Sequence, residues 1–195
     1  MKTVFVDVDS QLDFLYPAGA LYVPHAERIV PGIAHLNRYA AQRGIQVIST
    51  TDAHFEDDPE FRIWPRHCVA GTLGQRKAES TLLERRITIP KCDCDLAIEG
   101  AQQIIVEKQT VDVFAAPNLA HILHRLAADR FVVYGVVTEI CVLSAARGLL
   151  KLGKPVSVVI DAIKTLKAED SARALAEIRS LGGQCVELRE ITRPL

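Results

Sequence analysis

Apolar positions along this chain follow two rhythms. Short, nearly unbroken runs rich in Val, Ile and Thr occupy residues 3–9, 46–51, 104–108, 130–134, 156–161 and 184–188. Between them lie longer amphipathic stretches at 31–43, 118–128, 139–152 and 168–181, the spacing expected of helices that bury one face. Strands without polar alternation are those covered on both sides, and their alternation with helices marks repeated βα units around a parallel sheet. The pattern predicts a three-layer α/β/α domain with a six-stranded, mainly parallel sheet. Pro31 suits a first helical turn, and Gly44, Gly153 and Gly182 suit helix ends.

One segment breaks the rhythm. Residues 52–99 are rich in His, Pro, Arg and Asp, with a weak strand signal around Ile87. A loop of that length inside a compact domain is usually functional or disordered. No repeat, linker or low-complexity tract divides the chain, so a single domain over residues 1–195 is expected. In doubly wound sheets ligands bind outside the carboxyl ends of the strands, where strand order reverses. That rule gathers Asp9, Asp52, Lys108 and the stretch from Gly135 to Cys141 at one crevice.

Composition narrows the function classes. Hydrophobic residues make up 49% and charged residues 24% of the 195 positions, ordinary values for a globular protein with a packed core. Twenty-three basic against 24 acidic residues leave a net charge of -1, with no basic stripe for nucleic acid or anionic lipid. The N-terminal MKTVFVDVD lacks the apolar core of a secretory signal, and no apolar run reaches the roughly 20 residues of a membrane span. A cytoplasmic protein is expected. Five scattered cysteines do not form a disulfide framework, so reduced thiols are the default. Cys92-Asp93-Cys94 lacks a second ligand pair and is read as structural.

Several residues could carry chemistry. Cys141 follows GVVTEI at a predicted helix start, where free N–H groups and the helix dipole would favour a thiolate. Taken alone, a cysteine is more often simply buried. Asp9 closes an apolar strand, where an acid can serve as a proton acceptor, although strand-end acids also cap turns. Lys108 ends IIVEK, at a mouth where an ammonium could hold an acid and a thiol in charged form or sit solvated. Asp52, His54 and His67 offer a carboxylate and two imidazoles, a set suited to zinc, iron or manganese. Glu60 is a candidate fourth ligand, with Glu56, Asp57 and Asp58 as competitors.

Together, VDVDSQLDF with the downstream PAGALYV, TTDAH, WPRHCVAGT, IIVEK and GVVTEICV resemble the isochorismatase-like cysteine hydrolases, nearest to their nicotinamidase and pyrazinamidase branch. The resemblance runs from about Val4 to Leu181 and implies a Rossmann-like fold. It implies catalytic roles for Asp9, Lys108 and the nucleophile Cys141, and an oxyanion hole from the N–H groups of Val137 and Cys141. It implies Asp52, His54 and His67, with Glu60 in some members, as ligands of one divalent metal, zinc foremost. It also implies that Phe14 and Trp64 sandwich a ring substrate, that a cis peptide joins Val137 to Thr138, and that the protein forms a homo-oligomer.

The activity so implied is hydrolysis of a small heteroaromatic carboxamide such as nicotinamide to acid and ammonia through a cysteine thioester; a related amide, ureide or imide is the alternative. QTVDVFAAPNL departs from the branch after the lysine, and GTLGQRK departs from its usual continuation. A haloacid-dehalogenase-type phosphatase would use the D-x-D of Asp7 and Asp9, but would want Thr or Val where Gln11 stands. A non-catalytic binding protein of the same fold is the remaining rival.

Overall fold

The computed structural model describes residues 1–91 and 97–193; the Cys92-Asp93-Cys94 motif lies outside the described residues. Seven strands form one sheet: β1 (Thr3–Val8), β2 (Gln46–Asp52), β3 (Arg86–Ile89), β4 (Gln103–Lys108), β5 (Arg130–Val136), β6 (Val156–Lys164) and β7 (Gln184–Val186). Their order is β3-β4-β2-β1-β5-β6-β7, and every pairing is parallel. The sheet therefore has one strand more than the apolar runs predict. The extra strand is the weak signal around Ile87. With only four residues, and Arg86 and Thr88 exposed, it has the polar pattern of an edge rather than the unbroken run of a central strand.

The predicted helices form with small shifts at their ends. They are α2 (Val30–Gln42), α3 (Leu119–Leu126), α4 (Leu143–Lys151) and α5 (Ala168–Ser180), joined by the single-turn helices α1 (Leu12–Leu15) and α6 (Leu188–Ile191). Pro31 lies in the first turn of α2, where its missing N–H costs nothing, and Gly44 follows in the left-handed conformation. Helix α3 stops short of the expected Ala128 because Ala127 turns left-handed at φ 45°. The last predicted strand is cut short by a reciprocal cap between Glu187 and Glu190 that opens α6. Phe5, Ile33, Ile48, Ile104, Ile122 and Val133 are buried in one continuous core, consistent with helices covering both faces of the sheet.

Because all strands run parallel, their carboxyl ends share one edge. Chain order turns back across β1: β2, β3 and β4 build one side, and β5 then pairs with β1 on the other. Gly135 makes this junction possible. It sits at φ 119°, and a Cβ there would lie 2.0 Å from the Val8 carbonyl oxygen, so β5 can approach the end of β1 only without a side chain.

Candidate active site

Asp9 follows β1 in the left-handed conformation, φ 46°. Its N–H donates to the Thr50 carbonyl and hydroxyl oxygens at 3.2 Å, and its Oδ1 accepts from the Thr50 hydroxyl at 2.6 Å. Thr50 thus aims the carboxylate across β2, a role with no sequence signal. Oδ2 lies 2.9 Å from the Lys108 ammonium without hydrogen-bond alignment, which keeps this oxygen available as an acceptor.

Lys108 ends β4 in register with Asp52. Its ammonium also bonds the Asp52 carboxylate and lies 3.9 Å from Cys141 Sγ. Burial opposes its charge, but Asp52 and Asp9, with Cys141 beside them, hold the amine protonated well beyond the usual lysine range.

Cys141 sits in a wide π-type turn, Thr138–Val142, that leads into α4; such turns recur at functional sites. The thiol is not poised as a thiolate, contrary to the helix-start expectation. Burial pushes it well above the ordinary thiol range, Lys108 pulls it down, and the carboxylates of Asp9 and Asp52 push it up again. Desolvation and two anions outweigh one ammonium and a helix end. The cis peptide also differs from expectation, joining Val136 to Val137 rather than Val137 to Thr138. The carbonyl of Val137 already accepts from the N–H groups of Ile140 and Val142, so the bond that follows it belongs to the helical turn. Val137 and Cys141 both line the cleft.

Beside this group, one ligand atom each from Asp52, His54 and His67 lie within 4.8 Å of one another. His54 Nδ1 pairs with Asp58 Oδ2 at 3.0 Å, which places the ring proton there and leaves a buried Nε2 without a partner. His67 Nδ1 donates to the Pro65 carbonyl at 2.7 Å, so its Nε2 also presents a lone pair. Burial lowers the His67 pKa, favouring the neutral, ligand-competent imidazole, and pushes Asp52 up to about 6 against the pull of Lys108. An orphaned buried imidazole nitrogen, a second free one and a carboxylate fit a divalent cation. Glu60 faces the same cleft but is not part of the three-residue cluster. Of its competitors, Glu56 is exposed and paired with Arg66, Asp57 is exposed, and Asp58 stands behind His54.

Backbone clamps hold these candidate ligands. The Gln11 amide donates to the Asp52 and Gln75 carbonyls at 2.8 Å and accepts from the Asp52 N–H at 2.7 Å. Asp13 Oδ2 accepts from the Cys68 N–H at 2.7 Å. Gly74 passes so close that a Cβ there would meet the Asp13 carboxylate. Lys77 pairs with the buried Asp7 at 2.9 Å and donates to Ser10. GTLGQRK is therefore the strap that locks the DSQLDF turn, through Gln75, Gly74 and Lys77. Asp7 is engaged by Lys77, Ser10, Asn37 and Ser49, so Asp7 and Asp9 do not form a shared carboxylate site.

A cleft opens onto Asp9, Cys141 and His67. Its walls are apolar: the Phe14 ring, centred 5.3 Å from that of His67, Leu21, the half-buried Trp64, Ile140 and Leu166. Among the described lining residues there is no Arg or Lys. Leu21, Ile140 and Leu166 are wall positions that apolar spacing alone could not separate from core.

Comparison with known proteins agrees with this geometry. The chain is 32% identical to the pyrazinamidase of Pyrococcus horikoshii, solved in complex with zinc, with a TM-score of 0.80 over 96% of this chain and 99% of that one. It is 24% identical to the nicotinamidase of Saccharomyces cerevisiae over 83% of this chain and 87% of that protein. A probable inactive nicotinamidase of Arabidopsis thaliana is 22% identical over 100% of this chain and 96% of its own length. Residues 3–190 match the isochorismatase domain, and the chain belongs to that family of hydrolases.

Proposed function

We propose that this protein is a metal-assisted cysteine amidohydrolase that deamidates a small heteroaromatic carboxamide such as nicotinamide. The observation that carries the reading is the Lys108 ammonium, 2.9 Å from Asp9 and 3.9 Å from Cys141, two residues that line the apolar cleft. Asp9 Oδ2 takes the thiol proton as Cys141 attacks the amide carbonyl, and Lys108 stabilises the thiolate as it forms. The N–H groups of Val137 and Cys141 receive the tetrahedral oxyanion. Asp9 returns its proton to the departing ammonia, leaving a Cys141 thioester. Water deprotonated by Asp9 then attacks that carbonyl, releasing the acid and the thiol. Asp52, His54 and His67, with Glu60 as a further donor, would hold the divalent metal, zinc foremost, which when bound supplies a Lewis-acid anchor for a ring nitrogen. Phe14 and Trp64 flank the ring.

The lining supports this choice among amides. Without a cation on its described walls, the cleft does not favour a carboxylate-bearing ureide, and its rings and aliphatic side chains suit a flat, neutral amide. A catalytically silent protein of this fold is disfavoured because Asp9, Lys108 and Cys141 are all present and gathered together. We expect the protein to be cytoplasmic and homo-oligomeric. The test is ammonia release from a carboxamide panel led by nicotinamide and pyrazinamide, with metal-loaded wild type beside Cys141→Ala. Turnover that disappears in the variant supports the reading. Turnover that survives it removes the cysteine mechanism.

A further inference from the structure

Glu139 stands two residues before Cys141, and its carboxylate reaches across to the loop between β6 and α5. Oε1 accepts from the N–H groups of Leu166 at 3.0 Å and Lys167 at 3.3 Å, and Oε2 lies 2.7 Å from the Thr165 hydroxyl, which donates to it. The neighbouring Thr138 hydroxyl donates to the Lys164 carbonyl at 2.8 Å. Four consecutive residues are thus tied to two consecutive residues of the nucleophile turn. The loop needs such a tie. Strand β6 ends at Lys164 and α5 begins at Ala168, so the N–H groups of Leu166 and Lys167 belong to neither ladder nor helix and need acceptors elsewhere; that of Lys167 also reaches the Thr165 hydroxyl oxygen at 3.2 Å. Leu166, at the centre of this loop, lines the same cleft as Ile140 and Cys141.

We propose that Glu139 is a positioning residue that sets the Leu166 wall against Cys141, and so determines how tightly the cleft grips the apolar faces of its substrate without touching the reacting atoms. A carboxylate suits the task because one group accepts all three hydrogen bonds and its charge strengthens each of them. Its effect is on ground-state and transition-state binding alike, since the wall does not contact the carbonyl; the Michaelis constant should carry the change. The inference rests on the amidohydrolase reading only through the choice of substrate in the assay.

The experiment compares Glu139→Ala and Glu139→Gln with wild type, measuring nicotinamide kinetics and amide hydrogen exchange at Leu166 and Lys167. In Glu139→Ala the KM should rise about tenfold with kcat within about twofold, and the Leu166 amide should exchange at least about tenfold faster, with a smaller change at Lys167, whose N–H keeps the Thr165 hydroxyl oxygen as an acceptor. Glutamine keeps an oxygen that can accept both N–H groups, so Glu139→Gln should restore protection and KM together. Unchanged exchange in Glu139→Ala, or a fall in kcat that glutamine does not rescue, overturns the proposal. If wild type does not turn over nicotinamide, the functional reading fails separately. The brace is then judged by exchange and by Cys141 alkylation with N-benzyl-2-iodoacetamide relative to iodoacetamide. A relative loss of about fivefold in Glu139→Ala, with faster exchange, supports it, and an unchanged ratio overturns it.

Discussion

Lys108 Nζ lies 2.9 Å from Asp9 Oδ2 with both side chains almost fully buried, and the same ammonium also serves Asp52. One cation therefore pairs with two buried carboxylates, to which the proposed mechanism gives different tasks, proton transfer and metal ligation. Replacing it leaves two buried anions with no counter-charge in the pair. Lys108→Met should cost about 3–5 kcal/mol of stability, the usual effect of breaking a buried pair from one side, and abolish turnover. Asp9→Asn keeps the shape and leaves Lys108 paired with Asp52, while it removes the proposed proton acceptor. It should lose about 10²–10⁴ in kcat with a far smaller change in Tm. Calorimetry beside steady-state kinetics separates the two, and equal loss of Tm in both variants would contradict the division of roles.

Asp58 stands behind His54 of the candidate metal site. Burial works against its charge, but the Glu60 N–H and the side chains of His54 and Gln109 outweigh that and hold its carboxyl below the ordinary range. It therefore remains an anion that keeps the proton on His54 Nδ1 and the lone pair on Nε2. Asp58→Ala should weaken zinc binding by about 10–100-fold, measured by competition with a chromophoric chelator. Alkylation of Cys141 in the same protein should proceed at the wild-type rate.

The strand ends were legible because unbroken apolar runs mark central parallel strands, and parallel topology brings their carboxyl ends together without any knowledge of loops. Asp9, Asp52, Lys108 and Cys141 all follow from that rule. Gln11 and Asp58 do not, because their work depends on where an irregular loop passes; Gln11 and Asp52 are 41 residues apart. Thr50 lies in an apolar run, where a hydroxyl aimed at Asp9 looks like any β-branched strand residue. The Cys141 thiol departs from the helix-start expectation for a related reason. A helix start can be seen in sequence, whereas the depth of burial that opposes it is a property of the packed whole. Strand β3 gives only a weak signal because an edge carries polar residues that a central strand excludes.

Lys77 gives the strap its energetic weight. Its ammonium and the Asp7 carboxylate form a buried pair at 2.9 Å, linked to Asn37 and through it to Tyr134. Lys77→Met alone should destabilise by about 3–5 kcal/mol, because Asp7 loses its counter-ion. Pairing it with Asp7→Asn removes both charges and should recover most of that loss. Chemical denaturation of the single and double variants measures the coupling. Additive losses would mean that the pair does not act as a unit.

Stability should fall at alkaline pH, and the direction follows from three buried groups. Burial raises the pKa of Cys141, Cys68 and Tyr134, with the nearby Asp7 adding to the shift of Tyr134. A raised folded-state pKa means that the native protein keeps protons the unfolded chain releases. The stabilisation is therefore complete below the unfolded values, about 8.5 for Cys and 10 for Tyr, and is lost as pH rises from there toward the folded ones. Lys108, whose ammonium is held beyond the usual range after its neighbours overcome burial, contributes in the same direction at still higher pH. Tm measured with chelator present should be level between about pH 7 and 8 and decline above about pH 9. In Cys68→Ala/Cys141→Ala the decline should begin nearer the tyrosine range, and an onset identical to wild type would exclude the buried thiols as its cause.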